Sequence, residues 1–210
     1  MYIPKHFLNT SDDEAISFMQ KYSFGTIITF EDGKPVASHL PFLVEKSLND
    51  IVLSSHFAKG NPQSESIQNK QVLIIFSKPH AYISPRNYEK EQNVPTWNYI
   101  SVHAYGNCRE ITAETEKLNL LERTIQNYDK DYQQQWSNLS ADFKLKMLKG
   151  TVAFEVIITE LQAKHKLSQN RTRAEQQKII EGLSRSGDTN EAQIAEYMRL
   201  NISKNEANRN

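Results

Sequence analysis

The stretch SSHFAKGNPQ, residues 54–63, brings an imidazole, an ammonium group and a helix-start signal into one short segment. His56 closes an apolar run, Lys59 and Gly60 follow, and Asn61 precedes Pro62. Asparagine is a good N-cap and proline suits the first helical position. Backbone N–H groups at a helix start carry partial positive charge, so His56, Lys59 and Asn61 together would make an anion pocket suited to phosphate. The same residues also describe an ordinary capped helix beside a solvated lysine.

A second chemical stretch is VPTWNYISVHAYG, residues 94–106. As a strand it alternates, sending Trp97, Tyr99, Ser101, His103 and Tyr105 to one face and Asn98, Ile100, Val102 and Ala104 to the other. The second face reads mostly as core. The first is aromatic with polar tips, which suits a subunit contact, the wall of a flat ligand, or burial under the chain's own helix at 113–128. SHLPF, residues 38–42, offers Ser38 and His39 on opposite faces, with Pro41 marking an edge or a bulge. An open edge can present backbone groups to a planar ligand, and a proline can equally serve to protect it. KHKLSQNR, residues 164–171, places Ser168, Gln169, Asn170 and Arg171 where a strand would end. Those groups can bind ring heteroatoms or phosphate, or form a polar exit loop.

The elements that must hold these residues are mostly strands. Residues 12–22 follow a capping-box spacing from Ser11 to Glu14 and read as a helix. Residues 25–30, 36–45, 50–57, 71–77, 80–85, 97–111 and 152–167 read as strands, with a breaker-rich turn at EDGKP and a short helix between 58 and 70. Helices are expected at 112–128 and at 140–150, the latter capped by Ser140 and ended at Gly150. Successive strands over 25–57 without intervening helices disfavour a parallel α/β sheet, and a closed or split antiparallel barrel fits better. The expected fold is mainly β with helices capping the barrel. Residues 1–171 form the expected core domain. Residues 172–210 change to a polar, basic-sprinkled tail with two helices near 173–184 and 189–200.

Composition narrows the function classes. The 25 basic and 25 acidic residues cancel, so no global field draws in nucleic acid or anionic lipid. One cysteine, Cys108, fits a reducing cytoplasm and rules out an intramolecular disulfide. No apolar run approaches the ~20 residues of a membrane helix, and the first residues lack a signal-peptide layout. The histidines show no metal-ligand spacing, and no P-loop, nucleophile elbow or GxGxxG is present.

MYIPKHF, ASHLPF, HFAKGNPQ, PHAYISP, VPTWNYISVHAYG and KLSQNR occur in this order. Together they resemble the PaiB family of FMN-binding negative transcriptional regulators, over residues 1–183. The family is similar to the split β-barrel flavoproteins, which include pyridoxamine phosphate oxidases and flavin reductases. The resemblance implies a homodimer with FMN in the groove between subunits. It places the flavin phosphate at His56, Lys59 and Asn61, and the ring along Ser38, His39 and Pro41. It puts Trp97 and Tyr99 at the interface, with Ser168, Gln169, Asn170 and Arg171 approaching from the partner. The loop YEKEQNV, residues 88–94, departs from the family pattern by being shorter and more acidic.

A flavin-holding regulator is the first expectation. A flavin oxidoreductase is the second, since flavin itself carries hydride and electrons and asks the protein only for position and electrostatics. Its ring-side candidates are His39, Tyr99 and Arg171. A haem-binding or flavinless barrel is the third. A DNA partner rests on the tail alone, whose helix pair has a helix–turn–helix outline but more simply forms a packing hairpin.

Overall fold

The computed structural model describes residues 1–47 and 50–207. Among these, eight strands form one antiparallel sheet system: β1 Leu8–Asn9, β2 Phe24–Glu31, β3 Lys34–Pro41, β4 Leu43–Lys46, β5 Ile51–Ala58, β6 Gln71–Ile83, β7 Thr96–Glu110 and β8 Thr151–Lys166. The helices are α1 Asp12–Lys21, α2 Glu114–Tyr128, α3 Tyr132–Asn138, α4 Ala141–Leu148, α5 Arg173–Ser184 and α6 Thr189–Ala207. The chain divides into two compact units. The first holds Met1–Ser11, Ser77–Val102 and the residues from Gln162 on; the second holds Asp12–Phe76 and His103–Leu161.

In the second unit the strand order is β3-β2-β6-β7-β8-β5-β4. The β2–β3 hairpin turns through Asp32 and Gly33, with φ of 46° and 76°, between the paired residues Glu31 and Lys34. Two positive φ values make the tight turn whose twist matches the strands, which is why Asp-Gly occupies it. Phe42, Phe57, Phe76 and Phe154 are fully buried, and the Phe57 and Phe154 rings stack at 4.9 Å. Helix α2 buries Leu120 in a cluster with Leu43, Ile111 and Ala153. Gly106 on β7 lies so close to β8 that a Cβ there would meet the Ile157 carbonyl oxygen at 2.3 Å.

The first unit carries the ends of β6, β7 and β8, with β1 paired to β8 through Leu8–Lys164 and Asn9–Ala163. Helix α5 starts at a full capping box: the Thr172 side chain accepts from the Glu175 N–H, and the Glu175 carboxylate accepts from the Thr172 N–H. Helices α5 and α6 bury Ile179, Ile180 and Leu183 on one and Ile194, Ala195, Met198 and Ile202 on the other. The tail helices thus lie in the same compact unit as residues 1–11 and 77–102.

The expected strands at 71–77 and 80–85 are one strand, β6. Its buried positions run Val72, Ile74, Phe76 and then shift phase to Pro79, Ala81 and Ile83 across exposed Ser77 and Lys78. That slip reads in sequence as a break. The expected strand at 36–45 is split at Phe42 into β3 and β4. Helix α3, YQQQWSN, is not expected from its sequence, because Trp136 alone on it is buried and no apolar period shows. The cap at Ser140 is present, its Oγ accepting from the Phe143 N–H. Among the described residues no helix is long and apolar enough to cross a membrane.

Candidate functional site

The second unit gathers Ser38, His39, Pro41, His56, Lys59 and Asn61 on β3, β5 and the turn after β5. Pairing with β2 separates the β3 residues. Ser38 lies opposite Ile27, which is fully buried, whereas His39 lies opposite Thr26 and Pro41 opposite exposed Phe24. Ser38 therefore shares the inward face, and its Oγ accepts from Asn61 Nδ2 at 2.9 Å. Asn61 Oδ1 accepts from the Gln63 N–H at 3.0 Å. His39 occupies the outward face, its Nδ1 2.9 Å from Thr26 Oγ1 and its ring stacked with Phe24 at 6.5 Å. The Pro41 carbonyl accepts from Ser55 Oγ at 2.6 Å, which joins β3 to β5.

The turn at 59–64 differs from the expected helix start. Pro62–Ser66 is a single 3-10 turn, too short to build a helix dipole of useful size. The N–H groups of Lys59, Asn61 and Ser64 already donate to the carbonyls of Gly150, Ala58 and Asn61, and that of Gln63 to the Asn61 side chain. The expectation of unused backbone donors is therefore corrected at Lys59, Asn61, Gln63 and Ser64. Anion capture at this turn falls to side chains. Lys59 is exposed and, among the described residues, makes no ion pair. His56 is half-buried, and burial lowers its pKa below the usual 6.5, leaving a neutral imidazole near pH 7. Gln63, not expected from sequence, is fully buried and donates to Thr29 Oγ1 at 3.0 Å, while its Oε1 has no partner among the described residues. The pKa of His103 is also lowered by burial, and its buried Nδ1 has no partner among the described residues.

In the first unit, Asn98, Ile100 and Val102 on one face of β7 are buried; on the other, Trp97 is 51% exposed and Tyr99 half-buried, while Ser101 is buried. Trp97 packs edge-on against His80 at 5.7 Å and exposed Tyr82 at 5.9 Å, a strip across β6 and β7. The loop after β8 is densely bonded. Ser168 sits at φ 59°, buried, with its hydroxyl exchanging hydrogen bonds with Asn98 at 2.9 and 3.1 Å. Gln169 accepts from the Leu167 N–H and donates to the His165 carbonyl. Arg171 stacks on the Tyr88 ring at 3.7 Å and donates to Asn93 Oδ1 at 2.9 Å. Asn170 is exposed. Asn98 was legible only as a polar intruder on an apolar face, which a buried amide makes when it has partners.

Residues 1–160 match the family model described as "Putative FMN-binding domain". Over 209 residues the chain is 40% identical to the Protease synthase and sporulation protein PAI 2 of Bacillus subtilis, covering 97% of this chain and 99% of that protein. The chain belongs to the PaiB family. Solved structures share its fold at low identity. The FAD and haem binding protein of Mycobacterium smegmatis matches with a TM-score of 0.59 and 17% identity, over 75% of this chain and 72% of that one. The flavocytochrome Anf3 of Azotobacter vinelandii matches with a TM-score of 0.62 and 14% identity, over 78% and 72%. The chain thus has the split-barrel fold of the pyridoxamine phosphate oxidase type, and FMN is the cofactor of its domain.

The donor chemistry of the second unit fits FMN. A phosphate dianion asks for a compact cation and a neighbouring N–H, which Lys59 and His56 can supply. Phe24, His39 and Pro41 present a flat, partly apolar surface on the outer face of the hairpin, which suits a ring. Bound flavin supplies redox chemistry of its own; these residues would bind and orient it.

Proposed function

We propose that this protein is a flavin-holding regulator of the PaiB type. It binds FMN with the phosphate at Lys59 and His56 and the ring along His39 and Pro41, and influences gene expression indirectly. The observation that carries the FMN assignment is the exposed ammonium of Lys59, without an ion pair among the described residues, three positions along the chain from a half-buried neutral His56. The name of the Bacillus subtilis relative, Protease synthase and sporulation protein PAI 2, supports a regulatory role. Indirect action is favoured because α5 and α6 bury apolar faces within the first unit and the chain has no net charge, so neither feature favours reading a groove. We also propose a homodimer with FMN at the subunit interface. The exposed rings of Trp97 and Tyr82 support it, since such rings are enriched where subunits meet.

The visible spectrum of the purified protein tests the cofactor, and flavin bands are expected. A Soret band or a colourless sample that takes up no FMN would refute the assignment. A flavin oxidoreductase is the second reading. It is favoured by His39, which is exposed and uses Nδ1 at Thr26, leaving Nε2 for proton transfer. Steady NAD(P)H oxidation by the FMN-loaded protein would establish it. Light scattering tests the dimer; a stable monomer at micromolar concentration would contradict the interface.

A further inference from the structure

Lys164 and Lys166 are alternate residues of β8, so both side chains leave the strand on one face. Lys164 is only 8% exposed. Its ammonium donates to the Tyr2 carbonyl oxygen at 3.1 Å and lies 5.1 Å from the Tyr99 ring centroid and 5.9 Å from that of Tyr2. The Lys166 ammonium donates to Thr96 Oγ1 and lies 5.9 Å from the Phe7 ring centroid. Among the described residues neither lysine forms an ion pair. All of these residues belong to the first unit.

Buried cations are normally paired, because desolvation of an isolated charge is costly. Here two like charges share a strand face with aromatic rings and neutral oxygens. The strain between them registers on Lys166, whose pKa is pushed below its usual value by burial and then by the charge of Lys164. A bound dianion would relieve both penalties. Each ammonium has three N–H donors and gives one to a protein oxygen, so both keep donors for a ligand. Alternate residues stand about 6.6 Å apart along a strand, which lets two flexible lysines close on different oxygens of one tetrahedral anion. Both positions hold lysine rather than arginine. Lysine binds phosphate as a compact point charge, and two such charges on one strand face match the charge of a dianion.

We propose that Lys164 and Lys166, with Thr96, form a second anion site that takes a phosphate dianion, as the free ion or as a phosphate monoester. Its separateness rests on the assignment of the FMN phosphate to Lys59. The rings of Tyr2, Phe7 and Tyr99 flank the ammonium groups and favour an ester with an aromatic or other flat organic part.

The test is calorimetric titration of the FMN-loaded protein with inorganic phosphate and with phenyl phosphate, at constant ionic strength. Saturable binding is expected. In Lys164→Met and Lys166→Met it should weaken by at least about tenfold, the size of a lost charge-assisted contact. FMN content per chain should stay unchanged. Tighter binding of phenyl phosphate assigns the site to an ester, and equal binding to the free ion. No saturable binding to wild type, or equal binding by wild type and variants, overturns the proposal. Loss of FMN from the lysine variants also overturns it, because the lysines would then hold the flavin phosphate. Failure of Lys59→Ala to lose FMN, with phosphate binding intact, instead strikes only the flavin assignment. Wild-type protein gives a readout that is independent of variant folding: phosphate should slow amine acylation at Lys166, and an unaltered rate would refute the site.

Discussion

Two polar loops stand out in the sequence, and the structure treats them in opposite ways. In the turn after β5, the backbone donors and Asn61 hold the turn together, while the Lys59 ammonium is left exposed. In the loop after β8, the side chains of Ser168, Gln169 and Arg171 are engaged with Asn98, His165, Leu167, Asn93 and Tyr88. The first loop leaves the Lys59 cation exposed at its surface; the second turns the side chains of Ser168, Gln169 and Arg171 to fastening its own unit, with Asn170 exposed. A run of polar residues does not by itself mark a ligand site. What marks one is capacity left over after the fold has taken its share, and that count needs coordinates.

Removing Asn98 should give the largest change in stability. Asn98→Leu leaves the buried Ser168 hydroxyl without its partner, a loss of about 2–3 kcal/mol, measured as a lower urea midpoint. A midpoint equal to wild type would mean that the loop after β8 is not the fastening it resembles. Lys59→Ala should do the reverse. Its stability without added FMN should match wild type, while FMN affinity falls by about 2 kcal/mol, roughly thirtyfold. Lys149→Ala is the control, since Lys149 is an exposed lysine at the end of α4. Equal flavin content in the two variants would reject the pocket. Arg171→Ala tests the middle ground. Loss of its stack on Tyr88 and its bond to Asn93 should cost about 1 kcal/mol of stability. If it lowers FMN content with stability unchanged, the side chain serves the ligand rather than the loop.

The same distinction explains what was legible in advance. Strand alternation gave the two faces of β7, because side-chain direction follows from backbone geometry alone. Asp32-Gly33 and Ser140 were legible as a turn and a cap, because a φ value or an orphan N–H demands those residue types. The phase slip in β6 and the shortness of the turn at Pro62–Ser66 were not, because each depends on what packs against the segment. Asn98, Gln63 and the Lys164–Lys166 pair were hidden for a related reason. Each matters through burial and partners distant in sequence, such as Ser168 for Asn98 and Thr29 for Gln63. Order of motifs carried the family; it could not say which polar atoms remain free.

The smallest expected effect is also the most discriminating between the two loops, because it reaches the second unit through charge alone. Burial lowers the pKa of His56 below 6.5, so the unfolded chain binds this proton more readily than the folded one. Stability from a neutral His56 is therefore complete above pH 6.5 and is lost as the pH falls through the lowered folded value. His103, lowered by burial too, adds a loss of the same sign. The urea midpoint should decline on acidification below pH 6.5, and His56→Gln should decline less steeply. A bound phosphate beside His56 would favour the imidazolium, raise its folded pKa and narrow the gap to the unfolded state. Saturating FMN should then flatten the part of the decline that His56→Gln removes. If FMN leaves that part of the slope untouched, the phosphate does not face His56, and the turn after β5 does not hold it.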